Sequence, residues 1–401
     1  MKTFTKYFTA IMALAVVLSC GEKEQPAGGL GIKTDGAVLG FDKNVIKADG
    51  NDVVTFTAYF DGNDVGNDSQ THVLQKNPVT GKFVYAGRTF STTEPGEYVF
   101  KVQYRTNQSE EVKITAITRD IPSAVADPKP SGTSFVHRTF FNQFTGVDCP
   151  NCPYMVYLLD QTLVDGYEDK VVLAAIRNYS SAEVDFANIP NSAGYYPYLH
   201  IDYSKSVEHT VPAGELQSLI DQWTSVPAKV GISANPIYYE DGQIIVKVSV
   251  KAAVAGEYNV GLWLMQDEYY SPQSFNNDRP GALNNTWDVG YKGDSSKNRY
   301  DYHHNAVRVA ASKYMGGHVG FPLGRIEAGK TAEWIFVVNV NLGTPQYSYT
   351  DHWWEGNHGQ KVNLDDLHFA AFVTSHKGIR YTVENAIDFP YNQPKAFDYN
   401  K

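Results

Sequence analysis

Cys149 and Cys152 stand three residues apart in the run Phe144-Thr-Gly-Val-Asp-Cys-Pro-Asn-Cys-Pro153. Two thiols at this spacing can close on each other or exchange electrons with a second disulfide. At a strand-to-helix junction, Cys149 falls at the helix N-cap, where unpaired N–H groups and the positive dipole end favour a thiolate. Cys152, one turn further on, can then attack a mixed disulfide formed at Cys149. Pro150 suits the first helical position, because its missing N–H is not needed there. Asp148 works the other way, since a carboxylate beside Cys149 raises the thiol pKa. The alternative role is a staple across a very short loop, for which chain entropy gives only about 2 kcal/mol. Both roles are open on the residues alone.

The elements that must hold this pair follow from apolar spacing. Phe135 to Phe144 reads as a strand, and Pro153 to Val164 as a helix with Met155, Leu158, Leu159 and Leu163 on one side. Lys170 to Ile176 is a continuous apolar run of the kind buried on both faces, which completes a strand–helix–strand unit. Tyr195 to Tyr203 then gives a strand opening with Pro197, and Glu208 to Val211 a short partner. Pro212 to Thr224 reads as a second helix with Leu216, Leu219, Ile220 and Trp223 on one face. This order, with a proline leading a strand after the cysteine pair, resembles a thioredoxin-like domain over about residues 133–226. The resemblance implies a cis-Pro197 that aligns substrate, Cys149 as nucleophile and Cys152 as resolving thiol. The chain departs from that pattern at Val147-Asp148, where an aromatic residue is usual, and at Tyr196, where threonine is usual. No counterpart of the family's buried acid is evident.

Around this unit the chain reads as β-rich. Residues 1–19 pair a basic start, Lys2 and Lys6, with an apolar stretch too short for a comfortable bilayer span, an export signal. Leu18-Ser-Cys20-Gly21 resembles the lipobox of bacterial lipoproteins, which implies acylation of Cys20 and attachment to a lipid bilayer. Residues 20–33 form a tether. Residues 34–119 carry short alternating strands punctuated by Asp61-Gly62, Thr80-Gly81 and Pro95-Gly96, an Ig-like β-sandwich. Residues 120–132 are a proline-bearing linker. Strands dominate again over 227–401, an expected antiparallel β-sandwich interrupted by long polar-aromatic loops at 266–305 and 343–363.

Composition narrows the partners. The formal charge of −10 becomes −12 once Lys2 and Lys6 leave with the signal, and no basic run offsets it, so nucleic acid is excluded as a partner. Tyr347, Tyr349, Trp353 and Trp354 could form an aromatic platform for a sugar or peptide, or cap the sandwich core. Asp351, His352, Glu355 and His358 lie close enough in sequence to raise the question of a metal site, but Gly356-Asn357 favours a loop; no metal and no cofactor are expected. The cysteine run, the lipobox, His304-Asn-Ala-Val-Arg308 and the segments Phe369 to Val373 and Val383 to Ala386 together resemble a particular family. It is the lipoprotein family named for a 28 kDa outer-membrane protein of Gram-negative anaerobes. The resemblance implies an outer-membrane lipoprotein, and Gly21-Glu-Lys-Glu24 adds an expectation of surface exposure. The function expected first is binding or adhesion to a polypeptide or glycan, with thiol–disulfide exchange as the alternative. The sequence leaves the oligomeric state undetermined.

Overall fold

A computed structural model describes residues 36–147, 149–177, 188–192, 195–270, 273, 299–314, 316–340 and 363–401. Within them the chain is mostly β, in several sheets and more than one domain, with two α-helices: α1, Cys152–Thr162, and α2, Ala213–Thr224.

The N-terminal region is built from two sheets. One is led by the strand Ala37–Phe41, paired antiparallel with Val54–Phe60. The other runs through Val45–Lys47, Val112–Ile117, Gly96–Tyr104, Thr71–Lys76 and Phe83–Ala86. Alternate side chains such as Val54, Phe56, Phe100 and Ile114 meet in a shared core, as period-two strands require. The segment after Ile117 is irregular but tied down. Lys251, 2% exposed, donates to Asp127 Oδ2 at 2.8 Å, to the Pro130 carbonyl at 2.7 Å and to Tyr399 Oη at 3.2 Å.

The thiol pair sits on a nine-stranded sheet. Its order starts at Lys205–Glu208 and passes through Tyr198–Ile201, Thr139–Thr145 and Val171–Arg177. It continues through Ala306–Ala311, Gly256–Gln266 and Leu367–Lys377 to Arg380–Pro390. Strands from either side of residues 226 and 227 therefore share one sheet. The join is narrow. Val171–Arg177 and Ala306–Ala311 pair in parallel at Ala175 and Ala306 alone, with Ala175 N–H donating to the Asn305 carbonyl at 2.8 Å.

The two halves of this sheet are covered differently. Beside the thiols, α1 and α2 pack on one face through Met155, Leu158, Leu159, Leu216 and Ile220, against Phe141, Leu199 and Ile201. In the C-terminal half, Val260, Leu262, Phe369 and Ala371 face a three-stranded sheet of Val230–Tyr238, Gln243–Ala252 and Thr331–Asn339. The remaining face is common to both halves, because the sheet curls. Phe140 stacks on Phe372 at 4.8 Å and meets Trp263 at 5.3 Å. Val383 N–H donates to the Asp202 carbonyl at 3.1 Å, bringing the last strand back against the turn that joins the first two. Gly261 permits this enclosure, since a Cβ there would lie 2.3 Å from the Phe372 ring.

Candidate functional site

Cys149 and Cys152 form a disulfide with Cα atoms 5.4 Å apart, at the turn between Thr139–Thr145 and α1. The helix N-cap is Asn151 rather than Cys149, and Pro153 occupies the first turn. The difference has a local cause. Cys152 N–H donates to the Cys149 carbonyl at 3.2 Å, so the cysteines bracket a turn that precedes the helix. Cys149 therefore stands outside the helix, while Cys152 opens it. Both are buried, at 5% and 1% exposure.

The turn is held from a distant part of the chain. Gln273 Nε2 donates to the carbonyls of Gly146 at 3.1 Å, Val147 at 3.2 Å and Cys149 at 2.9 Å. Gln273 N–H in turn donates to Asp301 Oδ1 at 2.9 Å. Sequence spacing gave no signal for this residue, which lies more than a hundred positions beyond the cysteines.

Pro197 is buried and follows a cis peptide bond from Tyr196, immediately before the strand Tyr198–Ile201. Tyr198 stacks on Phe144 at 4.3 Å, which fixes that strand against the one leading to the thiols. Tyr195 is exposed and donates its hydroxyl to Glu208, and Tyr154 on α1 lies 5.9 Å from the His209 ring. The buried acid that sequence reasoning missed is Asp202. Its Oδ1 accepts from Phe140 N–H at 2.7 Å, and burial pushes its carboxyl well up. Phe140 lies near the start of the strand Thr139–Thr145 and the thiols follow its end, so Asp202 lies almost a strand's length from them and serves the curl of the sheet. Asn142 and His200 face each other across the adjoining strands, and burial alone lowers the His200 imidazole to about 4, leaving it neutral.

Behind α1, a cavity of about 490 Å³ opens beside the narrow join of the sheet, lined by Gln143, Asp160, Arg299, His303 and His304. Asp160 and Arg299 are ion-paired. Next to it, His368 lies between Asp388 at 2.7 Å and Asp267 at 3.7 Å. Burial opposes the imidazolium, but the two carboxylates outweigh it and hold His368 up at about 10. Burial would raise Asp267, yet His304 and His368 pull it well below the usual carboxylate range. Among the described residues, no group of three or more His, Cys, Asp or Glu could hold a metal ion.

Of the residues singled out from sequence, the structure brings Cys149, Cys152 and Pro197 into one module. Cys20, Asp148, Tyr347, Tyr349, Trp353, Trp354 and the segment from Asp351 to His358 lie outside the described residues. No described helix is long and apolar enough to cross a membrane.

No family model matches the chain, and no curated protein matches it in sequence. Among solved structures, HBP35 of Porphyromonas gingivalis is similar with a TM-score of 0.46 at 10% identity, over 66% of this chain and 78% of that one.

Proposed function

We propose that the chain is an outer-membrane lipoprotein, anchored through acylated Cys20 and facing outward, that binds a polypeptide or glycan partner. In this reading the N-terminal region is an Ig-like sandwich and the central region a thioredoxin-like module. The module serves as scaffold for the binding surfaces rather than as a redox catalyst. The observation that carries it is the closure of the thiol site. Both sulfurs are buried, and Gln273 occupies the carbonyls of the turn from Gly146 to Cys149. An exchanging disulfide needs an attacking thiolate to reach one sulfur in line, which requires access.

The second reading is thiol–disulfide exchange, with Cys149 as nucleophile, Cys152 as resolving thiol and Pro197 aligning the substrate chain. It is favoured by the position of the pair at the start of a helix, with a cis-proline leading a nearby strand. One experiment separates the two. The reduced full chain is alkylated across a pH series and offered a model disulfide, while the oxidised chain is screened against peptide and glycan arrays. Binding together with thiols titrating near the ordinary value of about 8.5 supports the scaffold reading. A thiolate already formed near neutrality, with rapid exchange and no array binding, selects the second.

A further inference from the structure

A groove of about 580 Å³ runs between the N-terminal region and the three-stranded sheet. Its floor is aromatic, with Phe321 and Trp334 stacked at 5.2 Å and Phe41 meeting Trp334 edge-on at 6.4 Å. Its walls are two strand edges. Among the described residues, Ala37–Phe41 pairs only with Val54–Phe60, and Thr331–Asn339 only with Gln243–Ala252.

Hydrogen-bond parity shows which backbone groups face the groove. In the first wall, Asp61 N–H bonds to the Gly36 carbonyl and Asp42 N–H to the Thr55 carbonyl. Even-numbered residues there bond inward, so the N–H and C=O groups of Ala37, Leu39 and Phe41 point out of the sheet. In the second wall, Ala252 N–H bonds to the Lys330 carbonyl and Val340 N–H to the Gly242 carbonyl. By the same alternation, Ile335, Val337 and Asn339 turn their backbone groups to the groove.

One of these positions is already satisfied, in an informative way. Asn44 Nδ2 donates to the Ile335 carbonyl at 2.8 Å, and Asn44 Oδ1 accepts from Ile335 N–H at 3.1 Å. The carboxamide thus does for Ile335 what the main chain of an added strand would do. The ladder stops there, and Val337 follows with no backbone partner among the described residues. Charge adds direction. Glu97, Glu110 and Glu111 line the groove, where Lys113 pairs with Glu97 at 2.9 Å and Lys76 with Glu111 at 3.3 Å. Acid exceeds base by one, and both pairs are exposed enough for an incoming cation to compete.

We infer that this groove takes an extended segment of another polypeptide, which adds a strand beyond Asn44 along Val337 and Asn339. The segment sets apolar side chains on Trp334 and a Lys or Arg beside the glutamates. This deepens the binding reading and rests on it. Main-chain bonds to an open edge supply affinity in such recognition, while alternate side-chain pockets supply selectivity.

The test uses fluorescence anisotropy of a labelled hexapeptide alternating Val and Thr, with Lys at one end, titrated with the full chain. Three changes are each expected to weaken binding by about tenfold or more, or about 1.4 kcal/mol. They are N-methylation of alternate peptide residues, Val337→Pro, and the pair Glu110→Gln with Glu111→Gln. Val337→Pro removes a groove-facing N–H on an edge strand, where proline is tolerated, and far-UV circular dichroism checks its fold. The Gln pair reports on the groove independently of that substitution. Equal binding of the methylated peptide would overturn strand addition. Undiminished binding by Val337→Pro and by the Gln pair would place the peptide elsewhere, sinking the groove while leaving a binding protein. Failure of this peptide and of every arrayed peptide and glycan to bind would sink both.

Discussion

The disulfide turn and the inter-sheet groove are built in opposite ways. At the turn, the carbonyls of Gly146, Val147 and Cys149 share one Gln273 amide, and the sulfurs are shut in. At the groove, two strand edges lie above an aromatic floor, and beyond the Asn44 pair to Ile335 their outward main chain has no backbone partner among the described residues. Backbone groups seldom stay unpaired when water is excluded, so an edge that remains open is open to something. The contrast separates a region that preserves its own geometry from one that is completed from outside.

The largest expected effect concerns how firmly the closed regions are locked. Lys251→Ala removes the cation that Asp127 and Tyr399 surround, and because Asp127 stays partly solvated the loss of these charge-assisted hydrogen bonds costs roughly 1.5–3 kcal/mol. Urea unfolding measures it, and a change within about 0.5 kcal/mol, the range of ordinary surface substitutions, would show that the segment from Asp127 to Pro130 is not locked. Next, replacing Cys149 and Cys152 together by Ser should cost about 2 kcal/mol while leaving hexapeptide affinity unchanged. Loss of that affinity in a folded variant would erase the contrast. Gln273→Ala is expected to cost about 1 kcal/mol and to speed reduction by dithiothreitol. Unaltered reduction kinetics would mean that Gln273 does not guard the turn.

The smallest effect is a pH signature. His368 is raised in the folded chain, so its contribution is full below its unfolded value and is lost as pH climbs toward about 10. Asp267 is depressed, so its contribution is present above its unfolded value and fades as acid is added. The stability difference between the parent and His368→Gln should therefore peak between about pH 4 and 6.5. It should stay under about 1 kcal/mol, because exposed Asp267 is screened by solvent. A difference that is flat with pH, followed by melting temperature, would remove this ion cluster from the forces that hold the sheet join.

Much of the local structure was legible in the sequence. Met155, Leu158 and Leu159 gave α1, Leu216 and Ile220 gave α2, and the apolar run to Ile176 gave a strand buried on both faces. Pro197 was found as the leader of a strand because a proline in that position is a local signal. Long-range pairings were not legible. Asn44 and Ile335 are 291 residues apart, and a lone asparagine after a turn carries no mark of its partner. The shared sheet escaped for the same reason, since a single residue pair joins its halves. Cys149 was expected at the N-cap because composition cannot distinguish a turn before a helix from the helix's first position.

The return of the C-terminal tail to the centre of the molecule bears on the order of assembly. Val136 N–H bonds to the Asp398 carbonyl, Asn400 N–H to the Ser134 carbonyl, and the Asn385 side chain to the main chain of Val136, Arg138 and Val230. Domains generally fold as units while the chain emerges from its N-terminus. The N-terminal sheets can follow that schedule, but the module carrying the disulfide cannot. Its contacts with Ser134 and Val136 wait for Asp398 and Asn400, so the cysteines stand in an unfinished fold until those distant residues have emerged.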